Sequence, residues 1–262
     1  MINFSRTRCV NAKKKLGGDG NIMSIWRKCF APSNHVGNCT NLYRKLKPNS
    51  CEDFFRKYVE YAKENVGMPI SQRGLSEEEL FDLARHYKET CEGRGTSVDA
   101  SVDDYLNDAL CHIIVETWDG QHTEQEFVDF LENTLPQGYK CSKFEGSMDA
   151  KYGVDIKVTR SDGKVSAIQI KPVSFFMSNR PDVQKDRMKL CEKYVSTISD
   201  HSIKTYYAIY NQDKETGDVQ WMVNTDGRFR FKVDDLFGFD PSNIQGTFVR
   251  KRLPETFAKL PV

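Results

Sequence analysis

Two hydrophobic periods divide the chain. From residue 50 to about 131, apolar residues return every three or four positions, the spacing of amphipathic helices. From residue 138 to 224 they alternate with polar residues in short runs, the spacing of half-buried strands. Ser50-Cys-Glu-Asp53 has capping-box spacing and opens a helix through about Val66, with Phe54, Phe55, Tyr58 and Tyr61 on its apolar side. A second helix starts at Leu75-Ser-Glu-Glu-Glu79 and ends near Cys91. A loop follows over residues 92–97, then a third helix over residues 102–117 with Tyr105, Leu106, Ala109, Leu110, Ile113 and Ile114 inward. Residues 123–131 make a shorter helix with Phe127, Phe130 and Leu131 on one side. Strands are predicted over residues 138–144, 152–158, 167–171, 204–210 and 219–224, with turns at Ser161-Asp-Gly-Lys164 and over residues 213–217. Arg180-Pro-Asp182 caps a further helix to about Ser199. The first 50 residues have weak periodicity except from Ile22 to Phe30. The pattern predicts an α/β protein: a mixed central β-sheet flanked by helices, with a helical N-terminal part. It divides into residues 1–120, mainly helical, and residues 121–262, an α/β core, and is also compatible with one compact domain.

The strands at 152–158 and 167–171 carry polar residues that their apolar alternation does not explain. Ile156, Val158, Ile168 and Ile170 make one face apolar, so this is a core hairpin. Gln169 and Lys171 are two residues apart and share a face, and Asp155 lies early on the adjoining strand. Pro172 cannot donate to a ladder, so the strand is expected to stop there, with Lys171 at an open strand end. A carboxylate, an amide oxygen and an ammonium group meeting at a sheet edge can hold a hard divalent cation and activate water beside a phosphate. A solvated hairpin face is the plainer alternative for an Asp and a Lys.

Composition narrows the class. A chain of 262 residues with 39% hydrophobic and 11% aromatic content can bury a sizeable core. No apolar run reaches the ~18 residues of a membrane span, and the N-terminus lacks the apolar segment of a secretory signal. A cytoplasmic protein without membrane partners is therefore expected. The eight cysteines contain no C-x-x-C pair, so free thiols are expected rather than a zinc site built on Cys39, Cys51 and His35. The net charge of +1 conceals blocks. Residues 1–60 carry 12 Lys/Arg against 4 Asp/Glu, and residues 61–137 carry 5 against 17.

The helix–strand–strand–strand order, with Gly153-Val-Asp155 and Gln169-Ile-Lys171, resembles the PD-(D/E)xK nuclease superfamily, which includes type II restriction endonucleases and Mrr-like enzymes. That family places a Glu-bearing helix, a strand, an Asp on a second strand and (D/E/Q)-x-K on a third. The resemblance covers about residues 122 to 175. Val154 stands where the naming Pro would be, and Gln169 where an acid is usual. It implies a Mg²⁺-dependent endonuclease acting on double-stranded DNA, a type II restriction enzyme and homodimer, with Mn²⁺ able to substitute. Asp155 would be the central metal ligand, with Gln169 and the carbonyl of Ile170 as further ligands. Lys171 would polarise water or stabilise the transition state, and Glu126 would be the helix carboxylate, with Glu124, Glu116 and Asp149 as competitors. Because Gln169 is neutral, a second carboxylate is needed. Lys13, Lys14 and Lys15 then read as a DNA-contacting arm that orders on binding. Arg228, Arg230 and Lys232, alternating with aromatics, read as a phosphate-tracking strand, with Arg250, Lys251 and Arg252 as further contacts. A Mrr-like or phage-type repair or recombination nuclease is the alternative within the superfamily; a non-catalytic DNA-binding protein is the alternative outside it.

Overall fold

Serines fix the helix starts. Ser50 Oγ accepts from the Asp53 amide at 3.1 Å and opens the helix Cys51–Glu64. Ser76 and Glu79 form a reciprocal capping box at the start of the helix Glu77–Gly93, and Ser101 and Asp104 another at Val102–Leu110. The computed structural model describes residues 2–17, 20–96, 98–135, 137–143, 154–177, 189, 203–223, 230–232 and 247–250. The helices are α1 (Arg6–Gly17), α2 (Gly20–Ile25), α3 (Ser33–Val36), α4 (Cys39–Leu46), α5 (Cys51–Glu64), α6 (Ile70–Arg73), α7 (Glu77–Gly93), α8 (Val102–Leu110), α9 (Glu116–Thr134) and α10 (Val173–Met177). π-helical turns occupy Trp26–Phe30 and Cys111–Val115. No helix among the described residues is long and apolar enough to cross a membrane.

The chain forms two compact units, residues 1–122 and 123–262. The first is helical. Its core includes Leu16, Trp26, Phe54, Tyr58, Tyr87, Tyr105 and Ile114. Residues 1–50 are part of that core rather than an arm awaiting DNA: Cys9, Val10, Ala12 and Leu16 form a buried helical stripe on α1. The basic residues are bound in place. Arg6 makes a bidentate pair with Asp119 at 2.7 and 2.8 Å, Lys13 pairs with Glu116, and Lys15 with Asp104 at 2.8 Å. Lys14 is exposed. The third predicted helix does not end at residue 117. It passes through the π-helical turn into α9, running through Gly120, with Asp119 held by Arg6. Buried Tyr58 ties loops together: its hydroxyl donates to the Val36 carbonyl at 2.7 Å and accepts from the Leu75 amide at 3.0 Å. Gly74 permits this approach. It has φ +79°, and a Cβ there would meet the Tyr58 ring at 2.5 Å.

The second unit is a mixed α/β structure around a seven-stranded sheet in the order β1-β2-β3-β4-β5-β7, with β6 also on β4. Strand β1 is Tyr139–Lys143, β2 Ile156–Arg160, β3 Val165–Pro172, β4 Lys204–Gln212, β5 Val219–Val223, β6 Arg230–Lys232 and β7 Thr247–Arg250. β1, β2 and β3 form an antiparallel meander; β3 and β4 are parallel, in a register that sets Gln169 opposite Tyr207. Parallel pairing requires a crossover, and residues 173–203 supply it, with α10 at its start and Lys189 helical. The rest of the predicted 180–199 helix lies outside the described residues. Phe127, Val128 and Leu131 of α9 join Ile156, Val158, Ile168, Ile170 and Trp221 in the core. Ser166 through Ile170 are all buried, so β3 is covered on both faces.

Candidate functional site

The hairpin's irregular end brings Asp155 and Gln169 together. β2 and β3 pair Ile156 with Ile168 and Lys157 with Ala167. Just before β2, the Asp155 amide donates to the Ile168 carbonyl at 3.1 Å, one residue out of that register, and the ladder closes there. The Asp155 carboxylate then takes the place of a backbone acceptor. Its Oδ2 accepts from the Ile170 amide at 2.7 Å and from Nε2 of Gln169. Gln169 is 1% exposed, and its Nε2 also reaches the Ile170 carbonyl at 3.4 Å. Two hard oxygens, Asp155 Oδ2 and Ile170 O, therefore converge on the positive end of one buried amide. β2 and β3 are interior strands. The polar group sits at the strand ends in mid-sheet, not at the lateral sheet edge that the alternation suggested.

Lys171 is half-buried, two residues beyond Gln169, and β3 ends at Pro172 as expected. Its Nζ lies 5.8 Å from the centre of the Phe175 ring. Phe175 belongs to α10, whose first turn follows Pro172 directly.

Helix phase separates the candidate carboxylates of α9. On α9 the sheet-facing stripe is Phe127, Val128 and Leu131. Glu124 lies three, four and seven residues before these, so it shares their face, and it is half-buried. Glu126 projects from the opposite, exposed face. Glu124 Oε2 lies 3.7 Å from Lys143 Nζ, and Lys143 pairs across the strands with Ile156, the neighbour of Asp155. Glu116 belongs to the first unit, committed to His112 at 2.9 Å and to Lys13. Asp149 lies outside the described residues. Lys143 and Phe175 were not singled out from the sequence. Strand register could have exposed Lys143, since the last residue of β1 faces the first of β2.

Among the remaining expected contacts, Arg230 and Lys232 occupy β6 opposite Ala208 and Tyr206. Arg250 ends β7 opposite Gln220. Arg228, Lys251 and Arg252 lie outside the described residues. Among the described residues no group of three or more His, Cys, Asp or Glu side chains forms a metal-binding cluster. The oxygens nearest to such a role are one carboxylate, one amide and one backbone carbonyl.

Fold and site together define a mixed α/β sheet protein with a half-buried acid bonded to a buried amide, and a lysine, at the ends of its central hairpin. No protein-family profile matches the chain, and no relative is found among curated proteins.

Proposed function

We propose that the second unit is the catalytic core of a Mg²⁺-dependent endonuclease that hydrolyses phosphodiester bonds in double-stranded DNA, a type II restriction enzyme working as a homodimer. One observation carries this reading: Asp155 and Gln169, 14 residues apart, share a hydrogen bond at the end of a strand buried on both faces, with Lys171 two residues further along that strand. A half-buried carboxylate bonded to a buried amide beside a lysine adds little packing to a sheet interior of Ile, Val, Ala and aromatic residues with Ser166, Thr205 and Gln212. The element order agrees with the restriction-endonuclease-like pattern: a helix with carboxylates, a strand, Asp155 entering the second strand, and Gln169-Ile-Lys171 on the third.

The donor set fits a hard divalent cation through Asp155 and the Ile170 carbonyl, with Gln169 offering Oε1 when its amide turns over. Such an ion would supply Lewis-acid activation of water and charge neutralisation at the phosphate. Glu124 is the carboxylate we assign to α9 on this reading; it stands on the Ile156 and Ile168 side of the sheet, so it would have to meet Asp155 around the strand ends. Lys171 holds charge that grows on the phosphate oxygens. A non-catalytic DNA-binding module is the second reading. It is favoured by the amide of Gln169 pointing its donor at Asp155, a pair that is satisfied without an ion.

Supercoiled plasmids of varied sequence, incubated with the purified chain and Mg²⁺ or Mn²⁺, test the proposal. Discrete fragments are expected. Asp155→Ala and Lys171→Ala should each lower the cleavage rate by a factor on the order of 100 to 1,000 while DNA binding persists. Smeared products would favour a repair or recombination nuclease. Binding with no cutting by the wild type under either cation would leave the non-catalytic reading.

A further inference from the structure

Lys171 is anchored in a way that the bare sequence motif does not specify. Pro172 ends β3, and the chain turns at once into α10, which returns Phe175 beneath the lysine four residues later. The Phe175 ring is fixed from behind. It packs edge-on against Phe176, centroids 5.3 Å apart at 88°. Phe176 is 1% exposed and sits edge-on against Tyr207 at 5.0 Å and 87°. Tyr207 is fully buried and is the β4 partner of Gln169. An aromatic column thus runs from the strand position opposite Gln169 to the ammonium of Lys171.

A ring and a carboxylate anchor an ammonium differently. A carboxylate at hydrogen-bond distance would hold Lys171 but neutralise it. The negative face of an aromatic ring attracts the ammonium while leaving its charge and its N–H donors directed elsewhere. A long, flexible lysine loses rotamer freedom when a site fixes it, so a ring that restricts it beforehand lowers the cost of meeting a phosphate.

We propose that Phe175 is a positioning residue for phosphodiester cleavage, holding the Lys171 ammonium oriented at the end of β3. This rests on the nuclease reading, and its test separates the two. Phe175→Leu removes the ring and keeps the bulk; Phe175→Tyr keeps the ring. The expected result is a fall of roughly two- to five-fold in the single-turnover cleavage rate for the leucine variant, with DNA affinity unchanged and near wild-type cleavage by the tyrosine variant. Independently of activity, NMR of the chain with ¹³C-labelled lysine should show ring-shifted ε-methylene signals for Lys171, assigned by their loss in Lys171→Arg. Those signals should collapse toward the unshifted position in Phe175→Leu and persist in Phe175→Tyr. If the leucine variant does not fold, Phe175→Met takes its place. Unshifted signals in the wild type, full-rate cleavage without the ring, or an equal loss in the tyrosine and leucine variants would each overturn the proposal. A wild type that shows the shifted signals yet cuts no DNA would sink the nuclease reading, and with it the role in cleavage, while the contact itself would stand.

Discussion

Gln169 is the residue on which the site's chemistry turns. Its amide is buried, donates to Asp155, and occupies the position where an acid would be usual in the nuclease pattern. Replacing it with Glu keeps the shape and exchanges a donor for a second carboxylate. Two ionised carboxylates side by side repel, and the new one, at a position with 1% exposure, is cut off from water. Gln169→Glu should therefore lower stability at neutral pH by about 1–3 kcal/mol. Mild acid should recover part of the loss, because a shared proton removes the repulsion. Millimolar Mg²⁺ should recover it too if the pair faces a cation site. Thermal melts of the variant with and without Mg²⁺ or Ca²⁺, against the wild type, make the comparison. A loss equal with and without divalent ions would mean that Gln169 is a packing amide and that Asp155 is not poised for metal.

At the scale of elements, helix phase chooses between Glu124 and Glu126. The side chains of α9 repeat about every 3.6 residues, so two glutamates two positions apart face nearly opposite ways. Only Glu124 shares the stripe of Phe127, Val128 and Leu131. If the helix carboxylate assists cleavage, Glu124→Gln should reduce the rate on the order of 100-fold, while Glu126→Gln should stay within about two-fold, as expected of an exposed surface change. Equal effects would remove α9 from the site. The sequence made the two-residue strand period legible: the hairpin follows from alternation, its turn from Asp162-Gly163 and its stop from Pro172, which lacks an N–H to donate. The serine starts of α5 and α7 were also readable, although only α7 carries the reciprocal capping box; at α5 Ser50 caps the helix alone. Glu124 was not separable from Glu126, because the predicted helix began at residue 123 and its phase rested on three apolar residues. In the structure the helix begins at Glu116 and passes through Gly120, a residue that local propensity disfavours. Tertiary pairing of Arg6 with Asp119 at that point is invisible locally. For the same reason the basic N-terminal run looked like a solvated arm. Its partners, Asp104, Glu116 and Asp119, are about 90 to 110 residues away.

Over the whole first unit, that pairing converts two opposed charge blocks into one folded structure, and it makes acid the stress that opens it. Glu79 is held at about 2, mainly by its bidentate bond with Arg73 and against the penalty of burial. Glu116, which burial alone would push up, is also held at about 2 by His112 and Lys13. Both carboxylates sit below their ordinary value of 4.5. Their stabilisation is therefore fully present above about 4.5 and is lost as pH falls through about 2. Asp108 opposes them. Burial raises its carboxyl despite His112 and the Tyr87 hydroxyl at 3.0 Å, so its protonation relieves a cost as acid is added. The Glu116 side chain is 46% exposed, and water screens its share. The net loss expected between neutral pH and about pH 3 is on the order of 1–2 kcal/mol. Of the chain's three tryptophans, Trp26 and Trp118 are buried in this unit and Trp221 belongs to the other. In the full chain carrying Trp221→Phe, fluorescence-monitored urea unfolding therefore reports on the helical unit. Its midpoint should fall as pH is lowered through this range, and Glu79→Gln should flatten the fall while reducing stability at neutral pH. A midpoint independent of pH down to about 3 would mean that the Arg73–Glu79 and Lys13–Glu116 pairs contribute no net stability, leaving the aromatic core around Trp26, Tyr58 and Tyr87 to hold the unit alone.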